Sequence, residues 1–261
     1  RPAFQAQAVA ARTYAMHERS RAREAGRYFD LESTTADQVF GGKSDVQTAD
    51  DAVFSTRGQV LYVGREPLRA YYSSTCGGRS ATASEVWEFD ETVAFNAAAP
   101  LQGRAVCTTC EASPLHRWER TRTADEARAR LVHWGKQRNH PVADMGKPMS
   151  IRVAQVNGVG RPDAYNIIDD RGRTFRLRAE ELRWGLNAVV AGQPPITREN
   201  QMPSNDMIAE VTRAGFVFRG RGFGHGVGMC QFGAQGQAEE GATWRQIVAW
   251  YYPGAEVRRA W

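Results

Sequence analysis

Residues 2–24 repeat their apolar positions with a helical period. Phe4, Ala8, Ala11 and Ala15, with Val9 and Met16, form one stripe. Pro2 suits a first helical turn and Gly26 a stop just past the end. A stripe so rich in small residues predicts a closely packed neighbour, and the charged end, His17 to Glu24, reads as solvated. A second helix is expected over 45–56, capped by Ser44 and stopped at Gly58. The period then changes to two. Gln59–Val63 and Leu68–Tyr72 flank Gly64-Arg65-Glu66-Pro67 and predict a hairpin. Thr123-Ala124-Asp125-Glu126 is a capping box opening a helix to about Trp134. From Met149 strand patterns follow at 151–156, 165–168 and 175–177, then at 207–212 and 216–218. A glycine-rich loop at 220–228 leads into a helix from about Met229. A last helix, capped by Thr243, runs to Tyr252 and ends at Pro253-Gly254. This order predicts an α+β fold. It has a single mixed core in which the chain ends return to each other, and one domain over 1–261 with a β-rich subdomain at about 100–210.

Composition narrows the class. The chain has 261 residues, 42% hydrophobic and 24% charged, which excludes a disordered tail, a collagen-like rod and a small disulfide knot. With 34 basic and 29 acidic side chains the net charge is +5, which suits an anionic partner such as a nucleic acid, a membrane surface or a cell-wall polymer. The basic residues are dispersed and no nucleic-acid motif accompanies them, so that partner ranks last. Arg117, Arg120 and Arg122 read as a solvated edge. No run reaches the ~18 apolar residues of a membrane helix. The chain opens at Arg1-Pro2 without Met, directly in a helical pattern, so a processed or trimmed chain is expected, with any targeting segment upstream.

Two segments concentrate candidate chemistry. In Tyr71-Tyr72-Ser73-Ser74-Thr75-Cys76-Gly77-Gly78, a strand runs into hydroxyls and a glycine pair, whose amides could bind sugar or phosphate oxygens or simply end the strand. In the second, glycines occupy 220, 222, 224, 226 and 228. This alternation has a high entropic cost and requires a close approach to a ligand or to another backbone. His225, fenced by those glycines, reads as an accessible donor, base or ligand. No βαβ unit follows, so it is not a dinucleotide fingerprint. Glu180-Glu181 are not a spaced catalytic pair. Trp184, Trp244, Trp250, Tyr251 and Tyr252 could line a sugar groove, with Trp244 and Trp250 assigned to the core by default.

The four cysteines, Cys76, Cys107, Cys110 and Cys230, include one C-x-x-C. A redox pair, two disulfides, a structural Cys₄ zinc site and four free thiols all remain open, with a slight lean to zinc. A Cys230–His225 nucleophilic dyad is conceivable but lacks an orienting third group.

Three segments together resemble the SpoIID/LytB family. They are Gln5-Ala6-Gln7-Ala8-Val9-Ala10-Ala11-Arg12-Thr13-Tyr14-Ala15, then Ser73-Ser74-Thr75-Cys76-Gly77-Gly78 with Glu85-Val86-Trp87, and finally Gly224-His225-Gly226-Val227-Gly228-Met229 with Gln231, Gly233-Ala234 and Tyr251-Tyr252-Pro253-Gly254. Residues 100–210 match weakly, through Ser113-Pro114, Trp118 and Gly185-Leu186.

The resemblance implies a lytic transglycosylase. It cleaves between N-acetylmuramic acid and N-acetylglucosamine in peptide-stripped peptidoglycan strands and leaves 1,6-anhydro ends, on the extracytoplasmic side of the cell. One carboxylic acid suffices, because the muramyl 6-hydroxyl is the nucleophile. The family's glutamate lies about a dozen residues before the first helix motif, upstream of Arg1, so no catalytic acid is named here, and neither Glu18 nor Glu24 replaces it. The implied groove places Arg12 and Tyr14 beside the acid or sugar. Ser73, Ser74, Gly77 and Gly78 would contact sugar oxygens, with His225 and Gln231 near the cleaved bond. The chemistry needs no cofactor. Some members hold zinc through Cys and His after the first helix, but 29–39 has neither residue. A structural zinc at Cys76, Cys107, Cys110 and Cys230 would be a different site. The alternative, implied by the amidase-enhancer branch, is a non-catalytic glycan-binding module that assists another cell-wall hydrolase.

Overall fold

The small residues of the first helix decide its surroundings. In α1 (Pro2–Glu24) the expected stripe is not the packed face: of it only Val9 is buried and Phe4 is exposed, and the fully buried residues are Ala6, Val9 and Ala10. Their short side chains let the two C-terminal helices, α6 (Gln231–Glu239) and α7 (Trp244–Tyr251), pack directly on α1. The structure is a computed structural model, and it describes residues 1–261 except 35–36, 40, 43–44, 88–90 and 103–105. The expected cap at Ser44 lies outside the described residues.

Seven helices and eleven strands are present among the described residues, in a mixed α+β arrangement. The remaining helices are α2 (Gln47–Ser55), α3 (Ala83–Val86), α4 (Ala124–Arg138) and α5 (Ala179–Leu186). The strands are β1 (Gln59–Val63), β2 (Glu66–Pro67), β3 (Tyr72–Ser73), β4 (Trp118–Thr123), β5 (Pro148–Val156), β6 (Pro162–Asp169), β7 (Thr174–Arg178), β8 (Met207–Thr212), β9 (Gly215–Gly220), β10 (Met229–Cys230) and β11 (Glu256–Arg259). β1 lies between β2 and the final strand β11, so the chain ends do meet. β3 pairs in parallel with β10. The middle of the chain forms two antiparallel sheets, ordered β4-β9-β8 and β5-β6-β7.

The buried apolar residues fall into two clusters. One joins α1, the segment 61–110 and the C-terminal helices. The other lies between Trp118 and Phe218 and packs α4 and α5 against the two middle sheets.

Several local expectations are corrected. The hairpin strand pairing with β1 is Glu66–Pro67, within the expected turn, and Leu68, Ala70 and Tyr71 of the expected second strand turn into the core instead. Glu18 is not solvated: it is 5% exposed and bonded to Arg69 at 2.7 Å and Arg21 at 3.3 Å. The basic stretch at 117–122 is an edge only in part: β4 is the outer strand of its sheet and Arg117 is exposed, but Arg122 is buried. It forms β4 beside β9, with Trp118 buried over Gly220 and Arg122 buried against Glu126. Glu180 and Glu181, by contrast, agree with the reading that they are no spaced catalytic pair: they open α5, where Glu180 pairs with Arg183 and Glu181 accepts from the Arg178 amide. Trp250 is largely exposed, whereas Trp244 is buried.

Candidate functional site

The two glycine-bearing segments meet along their length. Beyond the β3–β10 pair, Thr75 and Phe223 exchange both backbone hydrogen bonds, at 3.1 and 2.8 Å. The Ala81 amide donates to Gly226 O at 2.9 Å, and the Phe232 amide to Ser74 O at 3.1 Å. The glycines are needed for this crossing. Gly77 (φ +72°) and Gly222 (φ +80°) both adopt the left-handed backbone. A Cβ at Gly77 would sit 2.6 Å from the Arg221 Cβ, and one at Gly222 would overlap Thr75 O. Backbone approaching backbone therefore explains these glycines without a ligand.

The expected site residues divide accordingly. Ser73 is buried, and a Cβ at Gly224 would lie 2.7 Å from the Ser73 Cβ, so its hydroxyl faces the crossing loop. Gly78 is partly exposed, and its carbonyl accepts from the Cys107 amide at 3.0 Å. Ser74 is also partly exposed, with its hydroxyl 3.4 Å from that of Thr75. Gln231, fully at the surface, donates through Nε2 to Gln7 Oε1 at 3.2 Å. This pair marks where α1 meets the start of α6. Of the expected sugar contacts, Ser74, Gly78, His225 and Gln231 are at least partly exposed, whereas Ser73 and Gly77 are buried.

His225 is held rather than free. Its Nδ1 accepts from the Val227 amide at 3.0 Å, so a neutral ring carries its proton on Nε2. The ring packs on Trp87 and Tyr71, with centroids 5.0 and 5.8 Å away. Burial, with the charges of Arg183 and Arg161, pushes its pKa down to about 3. A base that stays neutral and spends its lone pair on a backbone amide is poorly placed for proton abstraction. Cys230 belongs to a different cluster, so the Cys230–His225 dyad does not form.

Arg12 has other partners than an acid or a sugar. Its guanidinium donates to Thr56 O at 2.8 Å and Val53 O at 3.3 Å, carbonyls at the C-terminal end of α2, and to Gln59 O at 3.0 Å, at the start of β1. Tyr14 is buried, and its hydroxyl accepts from Arg69 at 3.0 Å. Arg69 also donates to the Tyr71 hydroxyl, which in turn donates to Asn96 Oδ1 at 2.7 Å. Burial raises the Glu18 pKa in this network, while Arg69 and Arg21 oppose the rise.

Sequence reasoning missed Arg161. It follows a glycine turn between β5 and β6, where an arginine normally reads as solvated. It is 1% exposed and crosses from the middle cluster into the glycine junction. It donates to Arg79 O at 2.8 Å, Cys76 O at 3.1 Å, His225 O at 3.3 Å and Asn205 Oδ1 at 2.5 Å. Asp206, also buried, binds Arg79 at 2.6 Å and lies 3.8 Å from Arg161. No spacing rule links residues 79, 161 and 206, and only the fold brings them together.

The four cysteines do converge. Cys76 follows β3, Cys107 and Cys110 lie on one loop, and Cys230 caps α6. All four are buried, and their sulfurs lie within 4.8 Å of one another. A cavity of about 80 Å³ adjoins them, lined by Cys76, Cys107 and Cys230 with Leu101, Trp250 and Tyr251. That space is too small for a disaccharide.

Comparison with known proteins gives the same frame. Residues 1–62 match the SpoIID family model, described as stage II sporulation protein, and residues 82–228 match a domain of unknown function, DUF8618. The chain is 30% identical to an uncharacterized protein of Brachyspira hyodysenteriae over 98% of its own length and 61% of that protein. It is 26% identical to the amidase enhancer of Bacillus subtilis, again over 98% of its length but only 38% of the relative's. It is 27% identical to stage II sporulation protein D of Bacillus subtilis over 99% of its length and 69% of the relative's.

Proposed function

We propose, from the premise that this chain belongs to the SpoIID family and has a cell-wall-related role, that it is a lytic transglycosylase of peptidoglycan acting outside the cytoplasm. The observation that carries this reading is the interlocking of residues 71–81 with 223–232 beside α1. It brings the three family-like segments into one surface, with Ser74, Gly78, Gln7 and Gln231 as its solvent-facing polar groups. Amide and hydroxyl groups of this kind suit the neutral hydroxyls and acetamido groups of a glycan. The dispersed positive charge adds a weak, salt-screened attraction to muramyl carboxylates.

His225 fits a positioning role in this scheme. It locks the glycine loop through Val227 and the Trp87 and Tyr71 rings. No glutamate of residues 1–261 matches the family's general acid, which the resemblance puts about a dozen residues before the first helix motif. The task of that acid is to protonate the leaving glycosidic oxygen while the muramyl 6-hydroxyl attacks, closing the anhydro ring.

A non-catalytic module assisting another wall hydrolase is the second reading, favoured by the likeness to a relative named amidase enhancer. The deciding experiment incubates the natural full-length protein with peptide-stripped glycan strands and analyses soluble products by mass spectrometry. Anhydro-muramyl ends are expected from the enzyme. Strand binding with no new ends would transfer the function to the second reading.

A further inference from the structure

The cysteine quartet is unused by the proposed chemistry, yet it has the geometry of a built site. We propose that Cys76, Cys107, Cys110 and Cys230 bind one structural zinc ion. Four thiolates around tetrahedral zinc, at Zn–S distances of about 2.3 Å, place their sulfurs about 3.8 Å apart. The Cys76 and Cys110 sulfurs are 3.8 Å apart, and every pair in the set lies within 4.8 Å. Two disulfides would pull the sulfurs together in two pairs rather than gather all four.

The surroundings suit thiolates. Cys230 Sγ accepts from the Cys76 amide at 3.2 Å and from the Gly233 amide at 3.3 Å. Cys107 Sγ has the hydroxyls of Thr109 and Tyr251 at 3.8 Å each. Such donors around the sulfurs share out the negative charge that four thiolates leave on a divalent ion. Cys230 also stands at the N-terminus of α6, where the helix dipole favours a thiolate. All-sulfur ligation favours zinc or iron over hard cations, and four protein ligands leave no position for water or substrate. The ion is therefore a clamp. It joins the 107–110 loop to β3 and α6, where close packing already excludes larger residues. A Cβ at Gly233 would lie 2.7 Å from the Cys107 sulfur, and one at Gly236 would overlap Thr109 O.

The test measures metal and thiols on the full chain, independently of any cell-wall activity. Elemental analysis should find one zinc per chain. Cobalt(II) exchanged into the site should give the visible bands of a tetrahedral thiolate complex. A thiol reagent should see four groups only after the protein is unfolded with chelator. Conservative Cys110→Ser, which keeps three ligands, should lose most of the zinc and lower the Tm. If that variant does not fold, the cobalt spectrum of the unaltered chain decides alone. Two disulfides by mass mapping, iron in place of zinc, or four free thiols without metal would each overturn the proposal.

Discussion

At the residue scale, left-handed glycines and one partly buried histidine hold the junction. Gly222→Ala forces an L residue into φ +80° and drives a methyl group against Thr75 O. The expected loss is at least about 2 kcal/mol in urea unfolding. A loss below about 0.5 kcal/mol would contradict the crossing geometry. His225 gives a pH signature. Its pKa is about 3 in the fold against an ordinary value of 6.5, so between these values the unfolded chain binds the extra proton. Its contribution is therefore complete above pH 6.5 and is lost as the pH falls toward 3. His225→Gln removes this term. The wild-type-minus-variant difference in unfolding free energy should shrink from pH 7 to pH 5, whereas a constant difference would show that the ring titrates normally.

At the element scale, the first helix organises its neighbours through a stripe of alanines and one arginine. Arg12→Met strips donors from two carbonyls at the end of α2 and one at the start of β1, and should cost about 1–3 kcal/mol, read as a lower urea midpoint. Glycan binding per folded molecule should stay unchanged. Loss of binding at full stability would return Arg12 to the sugar. Much at this scale was legible in the sequence. The α1 boundaries, the Thr123 and Thr243 caps and the strands after Met149 all follow from period and capping residues. What escaped depends on long-range pairing. β4 reads as a charged edge because Arg120 and Arg122 share the inward face with Trp118, where a charged residue is not expected. β11 carries only one apolar residue, Val257, and becomes a strand because β1 offers it a partner. The glycine alternation announced close approaches, but the approaching groups are distant in sequence: the backbone of Thr75 and Tyr71 at Gly222 and Gly228, and the side chains of Trp118, Ser73 and Arg161 at Gly220, Gly224 and Gly226.

At the scale of the whole molecule, two apolar clusters are stitched by buried charge at the glycine junction. Arg161 and Arg79 reach Asp206, and Asp206→Asn leaves both cations undercompensated in a buried setting. The expected cost is about 3–5 kcal/mol, measured by urea unfolding. A neutral result would mean that the backbone acceptors alone satisfy the arginines. The stitching turns toward solvent a strip where α1 meets α6, and the account holds that this strip receives the glycan strand. Cosedimentation of the natural full-length protein with peptide-stripped strands tests it most directly, using the paired Gln7→Ala and Gln231→Ala substitutions. Binding should fall at least tenfold while folding is unchanged, and Trp184→Ala, on the distant α5, should bind as the unaltered protein does. Full binding by the double variant would place the glycan elsewhere and remove the basis of the assignment.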